Sequence, residues 1–302
     1  MLRVLTYHRV AIPSETPSMD PMLISATPEV FREQMVHLAR RYQPVGLGEV
    51  LDAFLHGAPL PPRAVHVTVD DAYRDFGEIA WPILRELGIP VTVFVPTSYP
   101  SEPSRGFWWD RLHQAARRRG DRMAADRALR ESLRGMHHDE TEEWVDRQCV
   151  EAGLVSDAAP SRSAVLSWSE LRDLAEQGVE FGAHTRGHVA LTQVSEHRMR
   201  EEIRGSLQEL ERQIGSRAPT LAYPYGLHNA LVRRVAREEG CALAFTVEDG
   251  LNEPRSTDPM AIRRTNITLR TSPALFALRM LPWFADVDRW RHRGERTRTS
   301  IQ

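Results

Sequence analysis

Val65-His66-Val67-Thr68-Val69-Asp70-Asp71 is the stretch on which the reading of this 302-residue chain turns. Four of its first five residues are β-branched, which suits a short buried strand, and the run ends on two adjacent carboxylates. Neighbouring carboxylates repel, and partial burial raises their pKa, so such a pair is costly unless something uses it. Strand side chains alternate between faces, but at a strand's end the chain can turn both acids toward one cavity. One can then bind a cation while the other acts as a base. The competing reading is local: Asp70 or Asp71 caps a helix beginning at Tyr73.

Working outward, Ile79, Ile83, Leu84 and Leu87 mark a helix that stops at Gly88, and residues 91–95 form another apolar strand. Upstream, residues 4–7 read as a strand. A polar loop follows, then Thr27-Pro28 as an N-cap with proline at the first helical position, and Phe31, Met35, Leu38 and Ala39 as one helical face. Beyond residue 165 the alternation resumes. Ser167-Trp168-Ser169-Glu170 fits a capping box that opens a helix ending near Gly178. Strands are expected at 179–183, 220–222, 242–247 and 261–264, and helices at 196–214, 227–239 and 273–280. Strand-then-helix alternation implies a parallel sheet with helices outside. About seven strands over this length predict an α/β chain folded as a distorted (β/α) barrel, one domain over residues 1–302.

Residues at about 100–165 break the rhythm and predict a helical insertion. A Pro/Ser-rich loop and Trp108-Trp109-Asp110 lead into residues 111–134, with eight arginines against three acids; residues 135–147 carry five acids against one arginine. Such runs suit a solvated helical face. Long insertions between barrel elements also serve as lids that shape a substrate cleft.

Composition removes several classes. The formal charge is −2, which offers no footprint for nucleic acid or an anionic membrane surface. The chain contains no lysine, so Schiff-base chemistry is excluded. Cys149 and Cys241 form no CxxC pair, and each reads as a small buried hydrophobe rather than a metal ligand or disulfide half. No apolar run approaches the roughly 20 residues that span a bilayer, and no export signal opens the chain, so a cytoplasmic location is expected.

Two further motifs end strands. In His184-Thr185-Arg186-Gly187-His188, imidazoles at i and i+4 can converge on one metal, and Gly182 and Gly187 permit a tight loop. The C-terminal ends of barrel strands are where such sites lie. In Ala222-Tyr223-Pro224-Tyr225-Gly226, proline fixes one φ and glycine frees the next turn, which can present the Tyr225 N–H to the cavity. The plainer reading is a rigid aromatic turn.

Thr-Val-Asp-Asp, His-Thr-Arg-Gly-His and Tyr-Pro-Tyr-Gly, in that order, together resemble the motifs of the polysaccharide deacetylase (NodB-homology) family, carbohydrate esterase family 4. The opening Leu5-Thr6-Tyr7-His8-Arg9-Val10 is similar to its circularly permuted branch, which includes deacetylases of poly-β-1,6-N-acetylglucosamine. The resemblance implies that Asp71, His184 and His188 bind one divalent metal, zinc first, with cobalt or nickel as substitutes. It implies that Asp70 is the general base toward water, that the Tyr225 backbone N–H stabilises the oxyanion, and that His8 is the general acid. The family's third motif usually carries an arginine that orients the base, and Ala222 stands near that place here. Arg263 or Arg264 can supply the guanidinium; alternation from Ile262 selects Arg264. The implied activity is removal of an N-acetyl group from an amino sugar in a saccharide or glycoconjugate. The alternatives are hydrolysis of a non-sugar amide, an imide or an O-acetyl ester, and a catalytically inactive carbohydrate-binding protein.

Overall fold

The computed structural model describes residues 1–123, 126–154, 164–215, 219–282 and 284. In chain order the strands and helices begin with β1 (Leu2–Tyr7), β2 (Arg9–Val10), β3 (Ile24–Ala26), α1 (Pro28–Arg41), β4 (Gln43–Pro44), α2 (Leu47–His56) and β5 (Ala64–Asp70). Next come α3 (Trp81–Glu86), β6 (Val91–Val95), α4 (Trp108–Arg119), α5 (Arg127–Gly135), α6 (His138–Glu151) and α7 (Trp168–Glu176). The chain continues through β7 (Glu180–Ala183), α8 (Glu196–Ile214), β8 (Thr220–Ala222), α9 (Ala230–Glu238), β9 (Leu243–Phe245), β10 (Leu251–Asn252), β11 (Thr265–Asn266) and α10 (Pro273–Arg279).

The sheet runs β10-β1-β5-β6-β7-β8-β9, with β11 parallel to β1 below the β10 contact and β4 parallel to the start of β5. A parallel bridge between Phe245 and Ile262 ties β9 to the segment that leads into β11. β10 pairs antiparallel with the start of β1, and the seven parallel lanes β1, β5, β6, β7, β8, β9 and β11 curl round into a distorted (β/α) barrel closed by short contacts. The alternation of side chains divides the apolar residues in two. Val4, Phe94, Ala222, Leu243, Phe245 and Ile262 fill the barrel, whereas Leu5, Val67, Val69, Val93, Phe181 and Leu221 face the surrounding helices. Each fully buried side chain of this kind contributes about 1.5–3 kcal/mol. Gly182 exists for space: a Cβ there would lie 2.5 Å from the Phe94 ring and 2.6 Å from Thr220 Oγ1.

Several local expectations shift. In α1 the fourth buried position is Gln34 rather than Ala39, because Gln34 accepts from Tyr7 Oη and donates to the Thr271 carbonyl. The helix expected from residue 227 starts later, at Ala230, where the Asn229 side chain caps the Val232 N–H at 2.9 Å. Neither Asp70 nor Asp71 caps a helix: Asp70 is the last residue of β5, and Asp71 turns left-handed at φ 72°. Cys241 is buried as expected, but Cys149 is only half-buried. α2 lies in a stretch the sequence pattern left without an element.

The insertion is more than a solvated face. Helices α4 and α6 pair the arginine-rich block with the acidic block: Arg111 binds Glu142 at 2.6 Å and also Asp146, and Arg105 reaches Glu142 at 3.4 Å. Beneath those charges lies a second core of Tyr73, Tyr99, Phe107, Trp108, Trp109 and Leu112. No helix among the described residues is long and apolar enough to cross a membrane.

Candidate active site

The three strand-ending motifs meet at one mouth of the barrel. Among the described residues their loops hold five of the six non-glycine residues with positive φ: Asp71, Ala72, Thr185, His188 and Tyr225. Each such position costs about 1–3 kcal/mol and persists only where the surroundings over-determine it. The glycines of the histidine loop do not take this conformation. Thr185 (φ 62°) and His188 (φ 57°) do, while the Gly187 N–H donates to Glu202 at 2.8 Å. At the third motif both Tyr225 (φ 58°) and Gly226 (φ 69°) turn left-handed, and a Cβ on Gly226 would fall 2.2 Å from Val247 Cγ2.

Asp70 and Asp71, adjacent in sequence, have opposite environments. Arg264 is completely buried and donates to both Asp70 oxygens, Nη1 to Oδ1 at 2.7 Å and Nη2 to Oδ2 at 2.8 Å. Its Nε donates to the Thr246 carbonyl at 2.7 Å, so the fork is fixed from behind. Burial alone would raise the Asp70 carboxyl. The Arg264 charge, His184, the Arg264 hydrogen bonds and His8 together outweigh it and bring it to about 2. Asp71 has no such partner. Burial pushes its pKa up despite His8 and His184, the Asp70 charge adds to the rise, and its Oδ1 is buried without a hydrogen bond.

The two imidazoles face that orphaned oxygen. His184 Nε2 lies 3.6 Å and His188 Nε2 3.3 Å from Asp71 Oδ1. Burial, ahead of the neighbouring charges, lowers His184 to about 4 and His188 to about 3, so both are neutral near pH 7. His184 Nδ1 sits 2.8 Å from the Ala222 carbonyl, which can only accept. Nδ1 therefore carries the hydrogen, and Nε2 turns its lone pair toward Asp71. One atom each of Asp71, His184 and His188 lie within 4.8 Å of one another, all buried. Two imidazole nitrogens, that of His184 with its lone pair turned inward, converge on a buried, orphaned carboxylate oxygen, a cluster short of positive charge. A single divalent cation fits that deficit, and two imidazoles with one carboxylate form a donor set that leaves positions open for reactants.

His8 follows β1, half-buried, with its backbone N–H donating to Ser25 Oγ at 2.9 Å. Burial lowers its pKa, while Asp71 and Asp70 raise it and Arg264 and His184 lower it, so it shares the field of the cluster. Tyr225 closes another side, its ring edge-on to His188 at 4.8 Å and its hydroxyl accepting from Trp108 Nε1 at 3.0 Å. The structure thus gathers Asp70, Asp71, His184, His188, Tyr225, Arg264 and His8 at one mouth.

Supporting residues escaped the sequence reading. Glu202 on α8 accepts from the Arg186 and Gly187 N–H groups at 2.9 and 2.8 Å and so holds the histidine loop. Asp75 accepts from Arg9 Nε at 2.8 Å and the Val10 N–H at 3.2 Å, which ties the segment after His8 to the loop after Asp71. Glu202 sits in an ordinary charged helix pattern, so only the fold reveals it. Arg9 was visible in the opening motif without a partner to give it meaning.

Comparison with known proteins agrees with this architecture. The chain is 24% identical over 276 residues to the poly-beta-1,6-N-acetyl-D-glucosamine N-deacetylase of Escherichia coli (strain K12), covering 88% of this chain and 37% of that protein. The chain thus spans little more than a third of that relative's length. Among solved structures, the Streptococcus pyogenes deacetylase PplD in complex with acetate superposes with a TM-score of 0.66 at 20% identity, over 93% of this chain and 98% of that one. IcaB from Ammonifex degensii superposes with a TM-score of 0.62 at 20% identity, over 93% and 97%. These likenesses establish a shared fold. The family model for polysaccharide deacetylase matches residues 57–244, which span the aspartate pair, both histidines and the Tyr-Pro-Tyr-Gly turn, and on that match the chain belongs to the polysaccharide deacetylase family.

Proposed function

We propose that this chain is a metal-dependent N-deacetylase that hydrolyses the acetamide of an amino sugar in a saccharide or glycoconjugate and releases acetate. The observation that carries the reading is the contrast within the Asp70-Asp71 pair. One carboxylate is fixed and ionised by Arg264, while the other lies orphaned against two neutral imidazoles. A binding protein has no use for the first.

Asp71, His184 and His188 would hold the ion, zinc being the first choice and cobalt or nickel suiting the same donors. When bound, the ion supplies Lewis acidity, which polarises the acetyl carbonyl and acidifies a water. Asp70 receives the water's proton on a carboxylate oxygen; the Arg264 fork keeps that group ionised and aimed. The Tyr225 N–H donates to the oxygen that becomes negative as the carbonyl turns tetrahedral. His8 delivers a proton to the departing nitrogen, which leaves as an amine. We read residues 1–302 as one such domain, with α4 to α6 of the insertion walling the cleft.

The test is an acetate-release screen across N-acetylated mono- and oligosaccharides, O-acetylated sugars and simple amides, using chelated and zinc-reloaded protein. Zinc-dependent release from an N-acetyl sugar is expected. Release confined to esters or non-sugar amides would move the reading to those bonds, and no release from any substrate would overturn it.

A further inference from the structure

The two histidines of the cluster are oriented by different means. His184 is fixed by a hydrogen bond from Nδ1 to the Ala222 carbonyl. His188 Nδ1 lies near its own backbone with no aligned hydrogen bond. Packing must therefore set the His188 ring, and four rings surround it edge-on: His184 at 4.7 Å, Tyr225 at 4.8 Å, Trp109 at 5.0 Å and Phe107 at 5.7 Å. Two of those, Phe107 and Trp109, belong to the insertion, stacked on each other at 4.6 Å and 6°.

Trp109 is itself held. Its Nε1 donates to Tyr73 Oη at 2.7 Å, and Tyr73 Oη donates to Asp110 Oδ2 at 2.8 Å. Asp110 Oδ1 accepts the Asp20 N–H at 2.8 Å, and Asp20 pairs with Arg130 of α5 at 2.5 Å. On its other face Tyr73 carries the Arg9 guanidinium, 5.3 Å from the ring centre. Every member of this chain of contacts is 4% exposed or less, and Tyr73 stands two residues after Asp71.

We infer that Trp109, tethered through Tyr73 and Asp110, is a positioning residue for His188, so that the insertion is a structural part of the metal site. A fixed ring holds the His188 lone pair on the point that Asp71 and His184 share. A loose ring spends part of its time elsewhere and weakens the site. Partners that orient a ligand typically contribute about 10–100-fold in metal affinity. The inference rests on the metal reading above and extends it to a residue outside the three motifs.

Zinc dissociation constants, measured on the full chain by competition with a chromogenic chelator well below each variant's melting temperature, test it. Trp109→Ala is expected to weaken zinc binding by about 10–100-fold, and Trp109→Phe, which restores a ring against His188, to recover most of that loss. Tyr73→Phe, which keeps the ring and removes only the tether, is expected to weaken binding by about tenfold, and it decides the matter if Trp109→Ala does not fold. His188→Ala serves as reference and is expected to abolish binding. Wild-type affinity in Trp109→Ala or Tyr73→Phe, with binding lost in His188→Ala, overturns the positioning role alone. Unchanged affinity in His188→Ala overturns the metal assignment itself.

Discussion

The two ends of the barrel differ in kind. At the C-terminal mouth stand five of the six left-handed non-glycine residues among those described, a buried ion pair and an orphaned carboxylate oxygen. Among the described residues the N-terminal end has one left-handed non-glycine residue, Arg63, and a cavity of about 980 Å³, lined among others by Arg3, Tyr42, Leu60, Leu278 and Leu281. Two polar side chains that line it are answered: Arg3 donates to Thr265 Oγ1 and the Leu281 carbonyl, and Tyr42 Oη donates to the Met280 carbonyl. Cavity size points to one end, while backbone strain and an orphaned carboxylate oxygen point to the other. We place the chemistry at the second, because a fold keeps costly features only where something else requires them.

The sharpest way to break that comparison is to remove a proton-transfer group from the strained end. His8→Ala should keep its metal and lose about 10²–10⁴-fold in turnover on an N-acetyl sugar. It should keep much of its activity on an acetyl ester whose phenol leaves unaided. Equal losses on both substrates would make His8 a positioning or folding residue.

Next in size is the ion pair. Arg264→Met leaves a charge buried without its partner and is expected to cost about 3–5 kcal/mol in denaturant unfolding, with Asp70→Asn added to it recovering much of the loss. The pH dependence follows in sign. Asp70 titrates at about 2 in the folded chain, below the usual carboxylate value near 4. Its contribution, about 2 kcal/mol, is therefore present above pH 4 and lost as pH falls toward 2. In Arg264→Met burial is no longer opposed, so that acid-side loss should vanish and the stability gap to wild type should narrow as pH falls from 4 toward 2; a gap that does not change with pH would refute the pairing.

The smallest effect belongs to the other end. Leu278→Ser, at a side chain 38% exposed beside the large cavity, should alter stability by no more than about 0.5 kcal/mol and leave turnover unchanged. A marked loss of activity there would move attention to the N-terminal end.

What the sequence reveals of this division follows from the range over which each feature acts. The lanes were legible because apolar runs and caps are local, down to the capping box in which Ser167 and Glu170 answer each other's backbone. Arg264 was legible through alternation, since Ile262 and Arg264 share a face and that face lines the barrel. The left-handed loop residues were not, because glycine is the usual marker of that conformation and here Thr185 and His188 adopt it beside a glycine that does not. Glu202, Tyr73 and Asp110 were not legible either. Each meets its partner across a fold that local pattern does not encode, and each looks in sequence like an ordinary helix or loop residue.

The central claim is that two adjacent carboxylates have divided their work, Asp71 toward a metal and Asp70 toward a proton. Metal content of purified Asp70→Asn and Asp71→Asn, reloaded with zinc and analysed side by side, tests it most directly. We predict that Asp70→Asn retains about one zinc per chain with little turnover, and that Asp71→Asn retains none. An empty Asp70→Asn beside a filled Asp71→Asn would reverse the assignment, and equal zinc in both would contradict it.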